Sequence, residues 1–407
     1  MEDLTNYRLK TIGSWLVAIS VIGVFVLPSI EFSSQYPKIE VSDITFIPLF
    51  LISIFHFKTD IISFFEKNKW VVITFLILII VAAFSILFNG RYMVYRDWFE
   101  PIKFFKLLSF IFFFYVFIDP VKWKPLIRFV FGAVLIFNFC HYIDLFEFNK
   151  IVSPNYTADH HINLFGLNSI GESATKRMFG TLGNPNNNAV MFLIFLIFFI
   201  PKSILKVDAD LVYTFLAIWA MIACQSRTSI VVLILTLIVF AILYRFNLKS
   251  ILFYVLTFVG GLIFFQYMGN SYLGSLSSVD VLHSATYGRL EQWIRILHVM
   301  PGHWLFGHGV NKEYLELNGI HAESEYFLIL FRYGIAGLIA LASFWLLLIK
   351  KSYDDWKNGY NILLVGTILI FVVVGLTNVP LHSNKLSLML VLAIGLGLSQ
   401  IDGREKV

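Results

Sequence analysis

The chain has 407 residues, of which 58% are hydrophobic, 17% aromatic and only 14% charged. Soluble domains carry about 25% charged residues, so this composition excludes an ordinary soluble enzyme. It also turns the net charge of +5 into a report on membrane topology rather than a sign of nucleic-acid binding.

Forty-three Phe residues and apolar runs near 20 residues long predict an all-α fold, a polytopic integral membrane helical bundle. The first run, Ile12 to Leu27, follows Arg8 and Lys10 and lacks a small-x-small cleavage site. It reads as a retained first span. About twelve transmembrane helices are predicted, near 11–30, 41–57, 69–88, 101–118, 125–143, 186–200, 210–224, 228–245, 250–268, 322–349, 360–378 and 384–400. With the N-terminus inside, the inside connections hold 17 of the 31 Lys and Arg, and the short outside ones hold five. That bias predicts cytoplasmic N- and C-termini. Two long outside loops remain, 144–187 and 269–321. There is no internal repeat and no soluble domain, so 1–407 reads as a single integral membrane domain. Cys140 and Cys224 lie in or beside apolar segments and define no disulfide framework.

The stretch KRMFGTLGNPNNNAV runs from Lys176 to Val190 and leads straight into an apolar helix. Asn184-Pro185 is a helix start, with Asn as cap and Pro in the first turn. From there to Ile200 is about 24 Å of helix, short of a hydrocarbon core of roughly 30 Å. The turn 180–188 is therefore expected to dip below the outer membrane surface and to line protein or water. A helix N-terminus presents free N–H groups and suits an anion. Lys176, Arg177, Asn184 and Asn186 are the candidate groups of a phosphate-recognition corner. The plainer alternative is a capped helix with a turn that only packs.

Arg227, in CQSRTSIVV, sits in a connection of about five residues between two spans. A charge there has a partner or a task, or else snorkels to the interface. Residues 287–300, YGRLEQWIRILHVM, are amphipathic. Leu290, Trp293, Ile294, Leu297 and Met300 share one face, and Arg289, Gln292 and Arg295 the other. Such a helix is expected to lie flat at the outer interface, with Arg289 opening it after Gly288. A Gly-rich turn, LFGHGVNKEY, follows at 305–314. Five of the ten His residues fall in 269–321, at spacings that fit no zinc motif. In HAESEYFLILFRYGIAGLI (321–339), Glu323 and Glu325 are expected to open a very apolar helix. They read as dipole compensation or, for Glu323 at the mouth of an outward cavity, as a general base. Arg332 lies well inside that span and is a candidate by position alone.

Four stretches, KRMFGTLGNPNNNA, SRTS, GRLEQW with LFGHG, and ESEYFLILFRYGIAG, resemble the O-antigen polymerase and O-antigen ligase superfamily of bacterial inner membranes. Their order, the span count and the long loop before the tenth span match too. The resemblance covers about 165–340 well; the first five spans match only in general character. It implies a membrane glycosyltransferase of the GT-C type with two periplasmic loops and an active site facing the periplasm. It also implies an enzyme that needs no nucleotide, no metal and no other cofactor. The implied substrate is an undecaprenyl-pyrophosphate-linked oligosaccharide, with membrane lipid around it and a chain-length regulator and a flippase as possible partners. In the ligases a His-Asn pair opens the tenth span, and aligning on Gly334 and Gly337 puts Glu323-Ser324 there. That resembles many polymerases, with His321 as a rival base. The resemblance implies Arg177, Arg227 and Arg289 as pyrophosphate-binding groups and inversion at the anomeric carbon. The readings to separate are a polymerase of repeat units, a ligase to a lipid A-core acceptor, and a lipid-linked-oligosaccharide flippase.

Overall fold

The computed structural model describes residues 2–30, 38–89, 95–119, 122–157, 177–201, 208–243, 247–267, 279–354 and 361–404. Among them the regular structure is helical, apart from one antiparallel bridge between Ile30 and Ile39. The first helices are α1 (Glu2–Val26), α2 (Val41–His56), α3 (Lys58–Lys67), α4 (Lys69–Phe88), α5 (Phe99–Phe117), α6 (Lys124–Ile143) and the single turn α7 (Phe148–Ile151). Then come α8 (Pro185–Phe199), α9 (Ala209–Ala223), α10 (Arg227–Leu243), α11 (Leu248–Tyr267) and α12 (Val279–Val299). The last are α13 (Lys312–Leu317), α14 (Glu325–Asp354), α15 (Ile362–Val374) and α16 (Asn384–Arg404).

Every apolar segment predicted as a span is occupied by a helix. By length and composition, α1, α4, α6, α14 and α16 are sufficient to cross a membrane, and α2 with α3, bent by 93°, makes a sixth as one broken span. The remaining apolar helices are shorter or, like α5 with Glu100, Lys103 and Lys106, more charged. Shortness has a cause in α8. It is apolar around its whole circumference and is buried except at Asn186, Asn187 and Phe198. A helix with no polar face belongs in a core, and α8 packs on α9, α10, α15 and α16. Outward faces are apolar as well: Ile44, Ile47, Leu51 and Phe55 of α2 and Ile77, Ile80, Phe84 and Phe88 of α4 are exposed. That is the surface a lipid solvent requires.

Polar contacts sort the helix ends into two groups. At one end Lys351 Nζ pairs with Asp402 at 2.9 Å and donates to Lys67 O and Asn68 Oδ1 at 3.0 and 2.7 Å. Asp402 also accepts from Asn68 and the Tyr115 hydroxyl, at 3.1 and 2.9 Å. This joins the ends of α3, α5, α14 and α16 to the start of α4, the grouping that alternating passes demand. The residues of the candidate site lie at the other end.

One long helix is not continuous. Within α14, Gly334 has φ 66° and ψ −161°. In a continuous helix Ile335 N and Ala336 N would donate to Phe331 O and Arg332 O. Ile335 N and Ala336 N donate instead to Trp304 O and Leu305 O, at 2.8 and 3.1 Å. Phe331 O and Arg332 O accept from His308 N and Gly309 N, at 2.7 and 2.9 Å. The Gly-rich turn 303–309 is thus inserted into the break and replaces both bonds. A Cβ on Gly334 would meet the Trp304 and Leu305 carbonyls, and one on Gly307 the backbone of Phe331 and Arg332. The sequence predicts one interruption, near 180–188; the bend between α2 and α3 and the break in α14 are two more.

Candidate functional site

The expected helix start at Asn184-Pro185 is present. Asn184 Oδ1 accepts from Asn186 N at 2.9 Å and Asn187 N at 3.3 Å. Before it, a 3₁₀ turn at Gly180–Leu182 folds the chain back on itself. Arg177 lies across this corner. Its Nη2 donates to Asn186 Oδ1 at 2.9 Å, and Nε and Nη2 donate to Cys224 O and Gln225 O at 2.9 and 3.2 Å. Those carbonyls close α9, where Gln225 takes φ 52°, and Arg227 follows two positions later as the first residue of α10. Arg177 and Arg227 therefore share one corner with Asn184 and Asn186. Lys176 lies outside the described residues.

The corner is joined to the start of α14 through residues 375–385. The Thr228 and Thr377 hydroxyls are 2.8 Å apart. Gly375 O accepts from Glu325 N at 2.9 Å and from the Ser324 hydroxyl at 3.0 Å. Lys385 Nζ donates to Thr181 O, in the 3₁₀ turn, at 2.7 Å. Glu325, almost fully buried, accepts from Leu381 N at 2.9 Å and lies 2.6 Å from His382 Nδ1. His382 Nε2 lies 3.2 Å from Glu100, which also faces Arg332 at 3.6 Å. Lys103 Nζ donates to His382 O at 3.1 Å.

On the solvent side of α14, Arg289 Nε donates to Glu323 at 2.7 Å, and Gln292 Oε1 accepts from His321 N at 2.9 Å. Trp293 stacks on Phe327, with centroids 4.9 Å apart. The polar face of α12 thus clasps 321–323. Of its apolar residues Trp293 is half-buried and Leu290, Ile294 and Leu297 are exposed, while Met300, just past its end, is buried.

Two expectations need correction. Glu323 does not open the tenth span: α14 begins at Glu325, and His321 and Glu323 precede it in non-helical chain. Arg289 does not open its helix but sits in the middle of α12. Arg332 is buried at 5% exposure beside Glu100; it is seven residues from Glu325, hence on the same helix face, in a cluster separate from the Arg289–Glu323 pair. Sequence reasoning passed over Glu100, Lys103, His382 and Lys385. The signal was available: each is an ionisable group in or next to an apolar segment, which is costly without a partner.

These apolar helices, with arginines and carboxylates gathered at one end, define a helical membrane protein with a polar site at that end. Residues 212–342 match the family model described as O-Antigen ligase. The match supports the O-antigen polymerase and ligase superfamily, whose members are enzymes of the glycosyltransferase type. Arg227, Arg289, His321, Glu323 and Arg332 lie inside it, and Arg177, Asn184 and Asn186 upstream. No curated protein matches the chain.

Proposed function

We propose that the protein polymerises undecaprenyl-pyrophosphate-linked oligosaccharide repeat units at the periplasmic face of a bacterial inner membrane. The observation that carries this reading is the joining of the two arginine corners, Arg177 with Arg227 and Arg289 with Glu323, by hydrogen bonds through 375–385 at one end of the bundle. A hydroxyl of the new unit attacks the anomeric carbon of the growing glycan. The new C–O bond forms, the bond from that carbon to the pyrophosphate oxygen breaks, and undecaprenyl pyrophosphate leaves with the electron pair. Glu323 takes the hydroxyl proton. Arg177, Arg227 and Arg289, with the helix start at Asn184 and Asn186, meet the charge that grows on the leaving group. Fixed cations aimed at developing charge are a large catalytic term, and guanidinium suits pyrophosphate because it binds bidentately. Arg289 and Glu323 hold each other at 2.7 Å, so substrate has to part them before either acts. Half of the Glu323 side chain is exposed, and an ion pair in that setting is worth about 0–1 kcal/mol. The separation is therefore cheap.

The ligase reading is favoured by the description of the matching family. The residues at the start of the tenth span favour the polymerase: Glu323-Ser324 stands where the ligase pattern has His-Asn. Purified protein given one lipid-linked repeat unit should yield a ladder of products. Product only when a lipid A-core acceptor is added would make it a ligase, and no product with either would remove both.

A further inference from the structure

A second set of polar residues, away from the reacting groups, lies inside the bundle behind Arg177. Asn138 and His141 of α6, Asn149 of α7 and Ser153 just after it have no exposed surface. Four polar side chains in an apolar interior are costly unless their hydrogen bonds are used, and the proposed chemistry uses none of them.

Their contacts converge on one short piece of backbone. Asn149 Oδ1 accepts from the Ser153 hydroxyl at 3.1 Å and faces His141 Nδ1, while Asn149 Nδ2 donates to His141 O at 2.9 Å. An amide oxygen can only accept, so the ring proton sits on Nδ1. Nε2 lies 3.2 Å from Arg177 O and 3.4 Å from Phe179 N, within hydrogen-bond reach of both backbone groups. The ring also rests on Phe179, centroids 3.8 Å apart. Asn138 Oδ1 accepts from Asn188 Nδ2 at 2.6 Å, and Asn188 Nδ2 reaches Met178 O at 3.1 Å. Gly180, at φ 49°, is where Asn138 comes so close that a Cβ would collide with it. Residues 177 to 180 are therefore held, atom by atom, by side chains of α6 and α8.

We infer that His141 is a positioning residue for Arg177: its Nε2 fixes the backbone from which the guanidinium reaches the pyrophosphate. This rests on the role given to Arg177 above. A group placed about 1 Å wrongly loses much of its effect on a reacting centre, and an arginine on a re-entrant turn has no helix of its own to fix it.

The test is binding of undecaprenyl pyrophosphate to purified protein in lipid nanodiscs. His141→Asn keeps a donor toward Asn149 but puts nothing at Nε2, whereas His141→Gln restores an amide there. His141→Asn should weaken binding by roughly tenfold or more, the scale of one hydrogen bond to a charged group, and His141→Gln should recover most of it. Arg177→Ala combined with His141→Asn should bind no more weakly than Arg177→Ala alone, because the histidine acts only through the arginine. Wild-type affinity in His141→Asn, or losses that multiply in the double variant, would overturn the inference. If His141→Asn does not survive extraction, Asn149→Ser frees the ring to turn and should show the same Arg177-dependent loss; unchanged binding in the folded variant sinks the idea. Wild-type protein that binds the lipid but extends no repeat unit removes the polymerase reading alone. Extension with unaltered binding in His141→Asn removes this inference alone.

Discussion

Glu323 and Glu325 stand two positions apart and live in different media. Glu323 is half exposed and paired with Arg289, while Glu325 is 2% exposed and tied to Leu381 N and His382. Their substitutions should therefore differ in kind. Glu323→Gln should abolish polymer at normal protein level, because an amide cannot accept the hydroxyl proton. His321→Ala should leave a detectable ladder. Both are read in a null strain, with glycan ladders compared against membrane protein amount; polymer from the first and none from the second would make His321 the base. Glu325→Ala should instead cost stability, about 1–3 kcal/mol for the buried Leu381 N–H and His382 ring left without their acceptor. A clearly lower melting temperature of the purified variant checks it, and an unchanged one would mean the cluster carries little. The residue types at the tenth-span start were legible in the sequence. Which carboxylate is buried was not, because Leu381 and His382 reach Glu325 from a segment more than fifty residues away, and no local pattern encodes that meeting.

The elements that carry these residues depend on one joint, the turn 303–309 docked into the break in α14. Gly334→Ala and Gly307→Ala should each destabilise by about 1–3 kcal/mol, because each forces a side chain into left-handed backbone, before any collision is counted. The double variant should cost less than the sum, since both substitutions break the same joint; strict additivity in thermal melts would show them to be independent. His308 adds a pH dependence. It is buried against Phe331, with Nε2 donating to Val299 O at 2.8 Å, and burial pushes its pKa below the usual value. The undocked turn therefore binds the proton more readily. Docking is complete above a pH of about 6.5 and weakens as pH falls below it, levelling off under the docked pKa. Protection factors of the Ile335 and Ala336 amides, corrected for intrinsic exchange, should fall between pH 7 and 5, and should stop doing so in His308→Phe. Flat protection in the wild-type protein would refute this. Both halves of the joint are visible in the sequence as LFGHG and YGIAG. Glycine marks where a backbone needs freedom but not which other backbone will come there, so their pairing was hidden.

For the whole molecule, hydropathy located every apolar helix because lipid exposure and burial both demand apolar side chains. The shortness of α8 was readable from Pro185 and Ile200, but the bend between α2 and α3 and the break in α14 were not, since hydropathy records apolar side chains and not backbone hydrogen bonds. The positive-inside bias predicts that the Lys351–Asp402 end is cytoplasmic and the arginine end is not. Single cysteines in a Cys140→Ser background test this, Cys224 being buried. Asn155→Cys should react with an impermeant maleimide in spheroplasts, and Glu66→Cys only after permeabilisation. The reverse pattern would invert the site.

The joint in α14 also bears on how the protein is made. Residues 303–309 leave the ribosome before 325–336, and α14 reaches the bilayer with two donors and two acceptors unmet at its break. Each such group costs several kcal/mol in hydrocarbon. The span therefore cannot settle as an independent unit and wait for its neighbours. Insertion of α14 and docking of the earlier turn become a single event, and an extension between 310 and 324 would act on biogenesis before it acted on catalysis.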